Sequence, residues 1–127
     1  MQDWGKLFLS WIALLAWMII IFWVSAIPDL EPGFSDGANI FISKIAHIGE
    51  YALLTFLLLR ALGQSFSSLT FQSLLEISFL LAYAYAVSDE FHQLFVQGRE
   101  GTFRDVMIDA VGITVVLLYL SQQKKGR

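Results

Sequence analysis

Long apolar runs alternate with short polar segments along the chain, and these runs predict its secondary structure. The first run, residues 7–27, contains no charged residue. About twenty apolar residues in a helix, each rising 1.5 Å, match the hydrocarbon core of a bilayer. The run exceeds the roughly 7–15 apolar residues of a signal peptide and contains the bulky Trp11, Trp17 and Trp23. We therefore expect it to be retained as a membrane-spanning helix.

Three later runs are long enough to cross a membrane but carry ionisable residues near one end. They cover about residues 41–62, 73–92 and 103–121. A soluble amphipathic helix would repeat polar residues every three or four positions, whereas one half of each run has no such repeat. The pattern predicts an all-α integral membrane protein, an antiparallel four-helix bundle formed by residues 1–127 as a single domain. Proline, glycine and serine predict connecting loops at 28–37, 63–68 and 97–102.

Composition supports a membrane location. Hydrophobic residues make up 57% of the chain, charged residues 15%, and the mean hydropathy is +0.65. Ordinary soluble domains have roughly 45–50% apolar and about 25% charged residues. The absence of cysteine excludes disulfides and thiolate sites, and a net charge of −3 gives no support for nucleic-acid binding. The expected partner is the lipid bilayer, with the protein in the cell membrane as a multi-pass protein.

Lysine and arginine near the ends of the spans predict the orientation. Cytoplasmic segments are enriched in these residues. One side of the predicted bundle has five lysines and arginines, and the other side has three. The larger set is Lys6, Arg60, Lys124, Lys125 and Arg127, and the smaller set is Lys44, Arg99 and Arg104. We therefore expect both termini to be cytoplasmic.

This topology brings ionisable residues of three helices to the outer face. The start of the second span, the end of the third and the start of the fourth meet there, with residues spaced three or four apart on their helices. A charge at the centre of a membrane helix costs about 2.5–3.5 kcal/mol on insertion scales, so a functional site is the default hypothesis. The pairs are His47 with Glu50, Asp89 with His92, Glu90 with Gln93, and Asp105 with Asp109.

Several of these residues also have a structural interpretation. Thr102 and Asp105 match the S/T-x-x-D/E capping box that begins a helix. Asp109 could form a hydrogen bond between helices, and Lys44 could extend its ammonium group to the interface. Both interpretations remain open beside the functional one.

Arginines and glycines have structural alternatives as well. Arg99 and Arg104 could neutralise Glu90 and Asp105, while Gly49 and Gly112 are expected to allow close helix approach. However, polar pairs inside membranes contribute only about 0.6 kcal/mol on average. So many ionisable residues would be an inefficient means of holding four helices together, and a functional site is favoured.

Two blocks, KIAHIGEYALLTFLLLRAL and SDEFHQLFVQGREGTFRDVMIDAVG, resemble the VanZ-like family. The family pattern has a Lys and a His before a Tyr-containing apolar helix, then D-E-x-H-Q-x-F, a Gly-Arg loop, and D-x-x-x-N followed by Gly. Asp109 departs from this pattern, which usually has Asn there. The matching positions are Lys44, His47, Tyr51, Asp89, Glu90, His92, Gln93, Phe95, Gly98, Arg99, Asp105 and Gly112.

The resemblance implies a small bacterial integral membrane protein. For the founding member it implies reduced susceptibility to the glycopeptide antibiotic teicoplanin, but it implies no particular reaction. A polar pocket at the extracytoplasmic face, acting on a lipid-linked or cell-envelope substrate, is one hypothesis.

In an enzyme of this kind, Glu90 and His92 would provide general acid–base catalysis together with Asp105. Arg99 and Arg104 would hold a phosphate or carboxylate, since guanidinium offers two parallel donors. The predicted substrate-binding residues are Lys44, His47, Glu50, Tyr51, Asp89, Gln93, Arg99, Arg104 and Asp109.

The same residues fit other functions. A non-catalytic protein that binds a headgroup or an antibiotic, or an accessory membrane protein, would need the same charges. A metal site could draw on His47, Glu50, Glu90, His92 and Asp109, but the chain has no H-E-x-x-H motif, so the sequence assigns no metal ligand and identifies no cofactor. An ion pathway is disfavoured because the far halves of the helices carry almost no polar groups.

Overall fold

The computed structural model describes residues 3–28 and 37–126, and within them the chain is helical with short turns. The four helices are α1 (Trp4–Ser25), α2 (Gly37–Ser65), α3 (Phe71–Gln93) and α4 (Phe103–Lys125). This confirms the all-α prediction and its four helices. The predicted loop at 28–37 lies almost wholly outside the described residues.

Helix ends follow local capping and contacts between helices. Thr70 and Thr102 cap the N-termini of α3 and α4, each accepting a hydrogen bond from the amide three residues on. The end of α2 lies three residues beyond its prediction because it packs on α1: Trp11 Nε1 donates to the Ser65 hydroxyl across 2.9 Å. Gly63 therefore lies inside the helix and does not end it.

Contacts along the bundle show that consecutive helices run in opposite directions. The start of α1 meets the end of α2, where the Ser10 hydroxyl donates to Gln64 Oε1 across 3.0 Å. The end of α1 meets the end of α3 through a hydrogen bond from Ser25 to Asp89. Lys44 near the start of α2 forms an ion pair with Asp105 near the start of α4, so these two helices are parallel.

The core lies along the bundle axis and consists of aliphatic and small residues with one tyrosine. Ala82 and Ala86 give α3 a narrow face against its neighbours, and Tyr51, Leu54 and Ile113 fill the centre. Large apolar residues also cover the outside of every helix. Such an exterior suits contact with lipid and would expose an extensive apolar surface to water.

Three candidate membrane spans follow from length and composition among the described residues. They are Trp4–Ser25, Phe41–Ser65 and Phe71–Gln93. The crossing of the membrane by α4 stays a prediction, as does the cytoplasmic location of both termini.

Candidate functional site

Five polar side chains of the described residues are buried at one end of the bundle, where α1 and α3 end and α2 and α4 begin. The exposed fractions are 4% for Asp89 and Glu90, 5% for Gln93, 6% for Ser25 and zero for Asp109. We call this end the polar site. Its members are Ser25, Lys44, His47, Glu50, Tyr51, Asp89, Glu90, Gln93, Asp105 and Asp109.

His47 and Asp109 join α2 to α4 inside the polar site. The His47 Nδ1 and Asp109 Oδ1 atoms are 3.1 Å apart. The other carboxylate oxygen of Asp109 is buried and has no hydrogen-bond partner among the described residues. The hydroxyl of Tyr51, one turn after His47, is likewise buried without a partner in that part of the chain. The centre of the site is therefore only partly satisfied by the protein's own groups.

Gly112 makes this contact between α2 and α4 possible. It lies three residues after Asp109, and a Cβ atom there would overlap the carbonyl group of Ile48. Gly49 does not act in the same way, since a Cβ atom at Gly49 would meet nothing within 4 Å. The expected close approach is confirmed at Gly112 and is wrong for Gly49, which faces outward.

Glu90 ties α3 to the beginning of α4. Its carboxylate accepts a hydrogen bond from the backbone N–H of Thr102 across 3.0 Å. In a complete capping box that N–H would go to the acid three residues later in the same helix. Gly101 allows this approach, because a Cβ atom there would overlap the Glu90 carbonyl.

Asp105 completes the other half of the predicted capping box. Its backbone N–H donates to the Thr102 hydroxyl across 3.2 Å, and its carboxylate accepts from that hydroxyl and forms the ion pair with Lys44. Thr102 is therefore the N-cap that the motif predicts, but the box is only half formed, and the ion pair with Lys44 shows that starting α4 is not the only role of Asp105. The ammonium group of Lys44 binds this acid, and so it joins α2 to α4.

Asp89 brings α1 into the site, which the sequence had not predicted. The Ser25 hydroxyl donates to Asp89 across 2.6 Å, and Gln93 donates to the other carboxylate oxygen across 3.3 Å. The signal was weak: Ser25 is one small polar residue at the end of an apolar run. The role of Ser25 could have been predicted from the antiparallel topology, which places the end of α1 beside the end of α3.

The two arginines do not neutralise Glu90 and Asp105, as one alternative held. Arg99 instead donates to the backbone carbonyls of Ile27, across 3.0 Å, and Val24, across 3.4 Å, at the end of α1. Arg104 is exposed at the first turn of α4. Glu90 is bound by the backbone N–H of Thr102, and Asp105 pairs with Lys44 of α2.

His92, predicted as a catalytic residue, is not part of the contacts around Asp109. Its ring stacks on Phe22 of α1 with centroids 4.4 Å apart. Its Nδ1 atom is buried and has no hydrogen-bond partner among the described residues. Of the three predicted catalytic residues, Glu90 alone is buried beside His47 and Asp109, while Asp105 is held by Lys44 and Thr102.

A small cavity opens beside the polar site. Its volume is about 120 Å³. Known pockets for drug-sized ligands measure about 300–1,000 Å³, so this cavity suits a small polar group. Its polar lining consists of Ser25, Ser43, His47, Glu50, Asp89, Gln93 and Arg99.

Three side chains of the site could together hold a metal ion. One donor atom each from His47, Glu90 and Asp109 lie within 4.8 Å of one another. Glu50 and His92, which the sequence also suggested for such a site, are not in this group. The grouping combines residues from α2, α3 and α4, so no local motif could have revealed it.

The apolar helices and their lipid-facing surface define a membrane protein. The family model VanZ/LLP1 matches residues 8–121, and the chain belongs to this family. The chain has no significant match among curated proteins or among solved structures.

Proposed function

We propose that all four helices cross the membrane, with both termini in the cytoplasm and the polar site at the extracytoplasmic face. The parallel contacts Lys44–Asp105 and His47–Asp109 support four crossings, because they set α4 beside α2 at the same depth. The distribution of lysine and arginine supports the orientation. The protein would then be a multi-pass protein of the cell membrane.

We further propose that the polar site binds the charged headgroup of a lipid-linked or cell-envelope substrate. The observation that carries this proposal is the burial of Asp89, Glu90 and Asp109 at one end of a bundle that is otherwise apolar. Buried acids are costly in a membrane helix, and such groups mark substrate sites and pathways by default.

The dimensions of the cavity support a headgroup as the bound part. A volume of about 120 Å³ accommodates a phosphate or carboxylate group but not a whole glycopeptide. Arg99 in the lining can donate to such a group, since two of its nitrogens already bind α1 and a third is available. The lipid chain would remain along the exposed apolar faces of the helices.

Glu90 is the proposed acid–base residue if the bound substrate reacts. It is buried, and one of its carboxylate oxygens lies within 4.8 Å of donor atoms of His47 and Asp109, so that a proton could pass between these groups and a bound substrate. The second candidate is binding without turnover, and a specific observation favours it. His92 is stacked on Phe22, and Asp105 is bound by Lys44, so two of the three candidate catalytic groups already have structural partners.

The test uses a bacterial host that lacks its own members of this family. The wild-type chain, Glu90→Gln and Asp89→Asn would be produced at equal membrane levels, and susceptibility to teicoplanin would be measured. Glu76→Gln is the matched control, because Glu76 is an exposed acid near the opposite end of α3, bonded to Gln72. We expect the wild type and the control to lower susceptibility, and both site variants to lose this effect.

Glu90→Asp distinguishes an enzyme from a binding protein. It keeps the charge but withdraws the carboxylate by one methylene, and loss of a placed acid–base group typically costs about 10²–10⁴-fold in rate. Catalysis would be abolished, whereas binding would only weaken. Full activity of Glu90→Gln would contradict a role for the polar site, and an inactive wild type would contradict the link to teicoplanin.

A further inference from the structure

Three residues from three helices form a candidate group of metal ligands in the polar site. A ring nitrogen of His47 and one carboxylate oxygen each of Glu90 and Asp109 lie within 4.8 Å of one another. Around a tetrahedral ion with bonds of about 2.0–2.2 Å, the donor atoms lie about 3.4 Å apart. The His47 Nδ1 and Asp109 Oδ1 atoms are 3.1 Å apart, close to that spacing, and all three donor atoms lie within 4.8 Å of one another.

Two buried polar atoms beside this group lack partners, which is an observation independent of the clustering. Asp109 is fully buried, yet its Oδ2 atom accepts no hydrogen bond from the described residues. The Tyr51 hydroxyl is also buried and unpartnered there. Buried polar atoms are nearly always satisfied, so atoms like these point to a missing ligand or ordered water.

Among the described residues, the only basic partner of Asp109 is the imidazole of His47, and Glu90 forms no ion pair. Within residues 3–28 and 37–126, Lys44 pairs with Asp105, while neither Glu90 nor Asp109 forms an ion pair with lysine or arginine. Two buried carboxylates carry two negative charges, which one divalent cation balances. An uncompensated buried charge is far more costly than a coordinated one.

We propose that His47, Glu90 and Asp109 bind one divalent transition-metal ion, Zn²⁺ or Mn²⁺. Imidazole is a good ligand for these ions, whereas Mg²⁺ and Ca²⁺ favour sites made of oxygen alone. Three protein ligands leave a position for an oxygen atom of the substrate. This last step rests on the proposed headgroup function, but the binding of the ion does not.

The test measures ion binding by the full chain, purified in detergent with an affinity tag that contains no histidine. After treatment with a chelator, the protein is titrated with Zn²⁺, Mn²⁺, Mg²⁺ or Ca²⁺, and binding is followed by calorimetry and by the thermal unfolding midpoint. We expect one equivalent of Zn²⁺ or Mn²⁺ to bind and raise the midpoint by several degrees, because a ligand of the folded state stabilises it.

Substitutions identify the ligands. Asp109→Asn and Glu90→Gln keep the shape of each side chain and should weaken ion binding at least tenfold. Glu50→Gln is the matched control, since Glu50 lines the adjacent cavity but is outside the group of three, and it should bind the ion as tightly as the wild type.

Several results would overturn the inference. These are no stoichiometric ion on the wild type, equal protection by Mg²⁺ or Ca²⁺, or unchanged affinity in a ligand variant that folds. The titration of the wild type tests whether an ion binds even where a variant fails to fold. If the wild type binds no ion but still lowers teicoplanin susceptibility, and Glu90→Gln loses this effect, then the metal inference is wrong and the proposed function stands.

Discussion

At the residue scale, Gly112 is the position where one added methyl group should matter most. Substitution of an outward-facing helical glycine by alanine gains up to about 1 kcal/mol of helix propensity. At Gly112 the new Cβ would overlap the Ile48 carbonyl, and overpacking typically costs about 1–3 kcal/mol. We expect Gly112→Ala to lower the free energy of unfolding, measured by denaturation in detergent.

Gly49→Ala provides the control on the neighbouring helix. It lies one residue after Ile48, and its Cβ would contact nothing within 4 Å. Its stability should equal or exceed that of the wild type. If both variants unfolded alike, the close packing of α2 on α4 at Gly112 would be contradicted.

Which residues carry the charges could be predicted from the sequence, but their partners in most cases could not. The Thr102–Asp105 cap was predictable because its atoms are three residues apart in one helix turn. Lys44 reaches Asp105 across sixty-one residues of sequence, and Arg99 reaches the end of α1 from seventy-two residues away. Such partners depend on helix rotation and register, which apolar runs in a membrane protein do not define.

At the element scale, threonine caps the N-termini of both α3 and α4. Substitution of the two caps can therefore distinguish an effect on stability from an effect on function. Thr102 and Thr70 each accept a hydrogen bond from an amide three residues on. Replacement of such a cap by alanine typically costs about 1 kcal/mol. We expect Thr70→Ala and Thr102→Ala to lower the free energy of unfolding by similar amounts in a detergent melt.

Only the second variant should disturb the polar site. The Thr102 hydroxyl, which alanine lacks, also donates to the Asp105 carboxylate, whereas the contacts of Thr70 lie at the other end of the bundle. Susceptibility to teicoplanin should therefore change more with Thr102→Ala than with Thr70→Ala. Equal effects would show that the cap acts through overall stability alone.

The helices themselves were largely predictable, because twenty apolar residues leave a membrane segment few alternatives to a helix. The start of α4 agrees with its prediction since Thr102 marks it locally. The end of α2 does not, because Trp11 of α1 binds Ser65 beyond the predicted end. The part of α1 in the polar site was missed for the same reason: Ser25 gains its meaning only from a partner on α3.

At the scale of the whole molecule, the polar groups collect at one end of the bundle because consecutive helices reverse direction. This convergence followed from the sequence, since ionisable residues lie at the start of α2, the end of α3 and the start of α4. The packing of the helices does not determine which side of the membrane the polar site faces. It depends on whether α4 crosses and on which end carries more lysine and arginine.

Two single cysteines settle both points, since the natural chain contains none. Gln97→Cys lies in the exposed turn between α3 and α4, and Gly126→Cys directly follows α4. Neither substitution removes a charge. In intact cells, a membrane-impermeant maleimide should label Gln97→Cys, because the predicted excess of lysine and arginine holds the termini inside. Gly126→Cys should react only after the membrane is permeabilised.

The other labelling patterns each contradict a different part of the proposal. Labelling of both cysteines in intact cells would mean that α4 does not cross, which leaves three spans and places the polar site at an outer surface. Labelling of Gly126→Cys alone would reverse the orientation, and the polar site would then face the cytoplasm. A lipid-linked substrate would in that case have to be one that is handled before export.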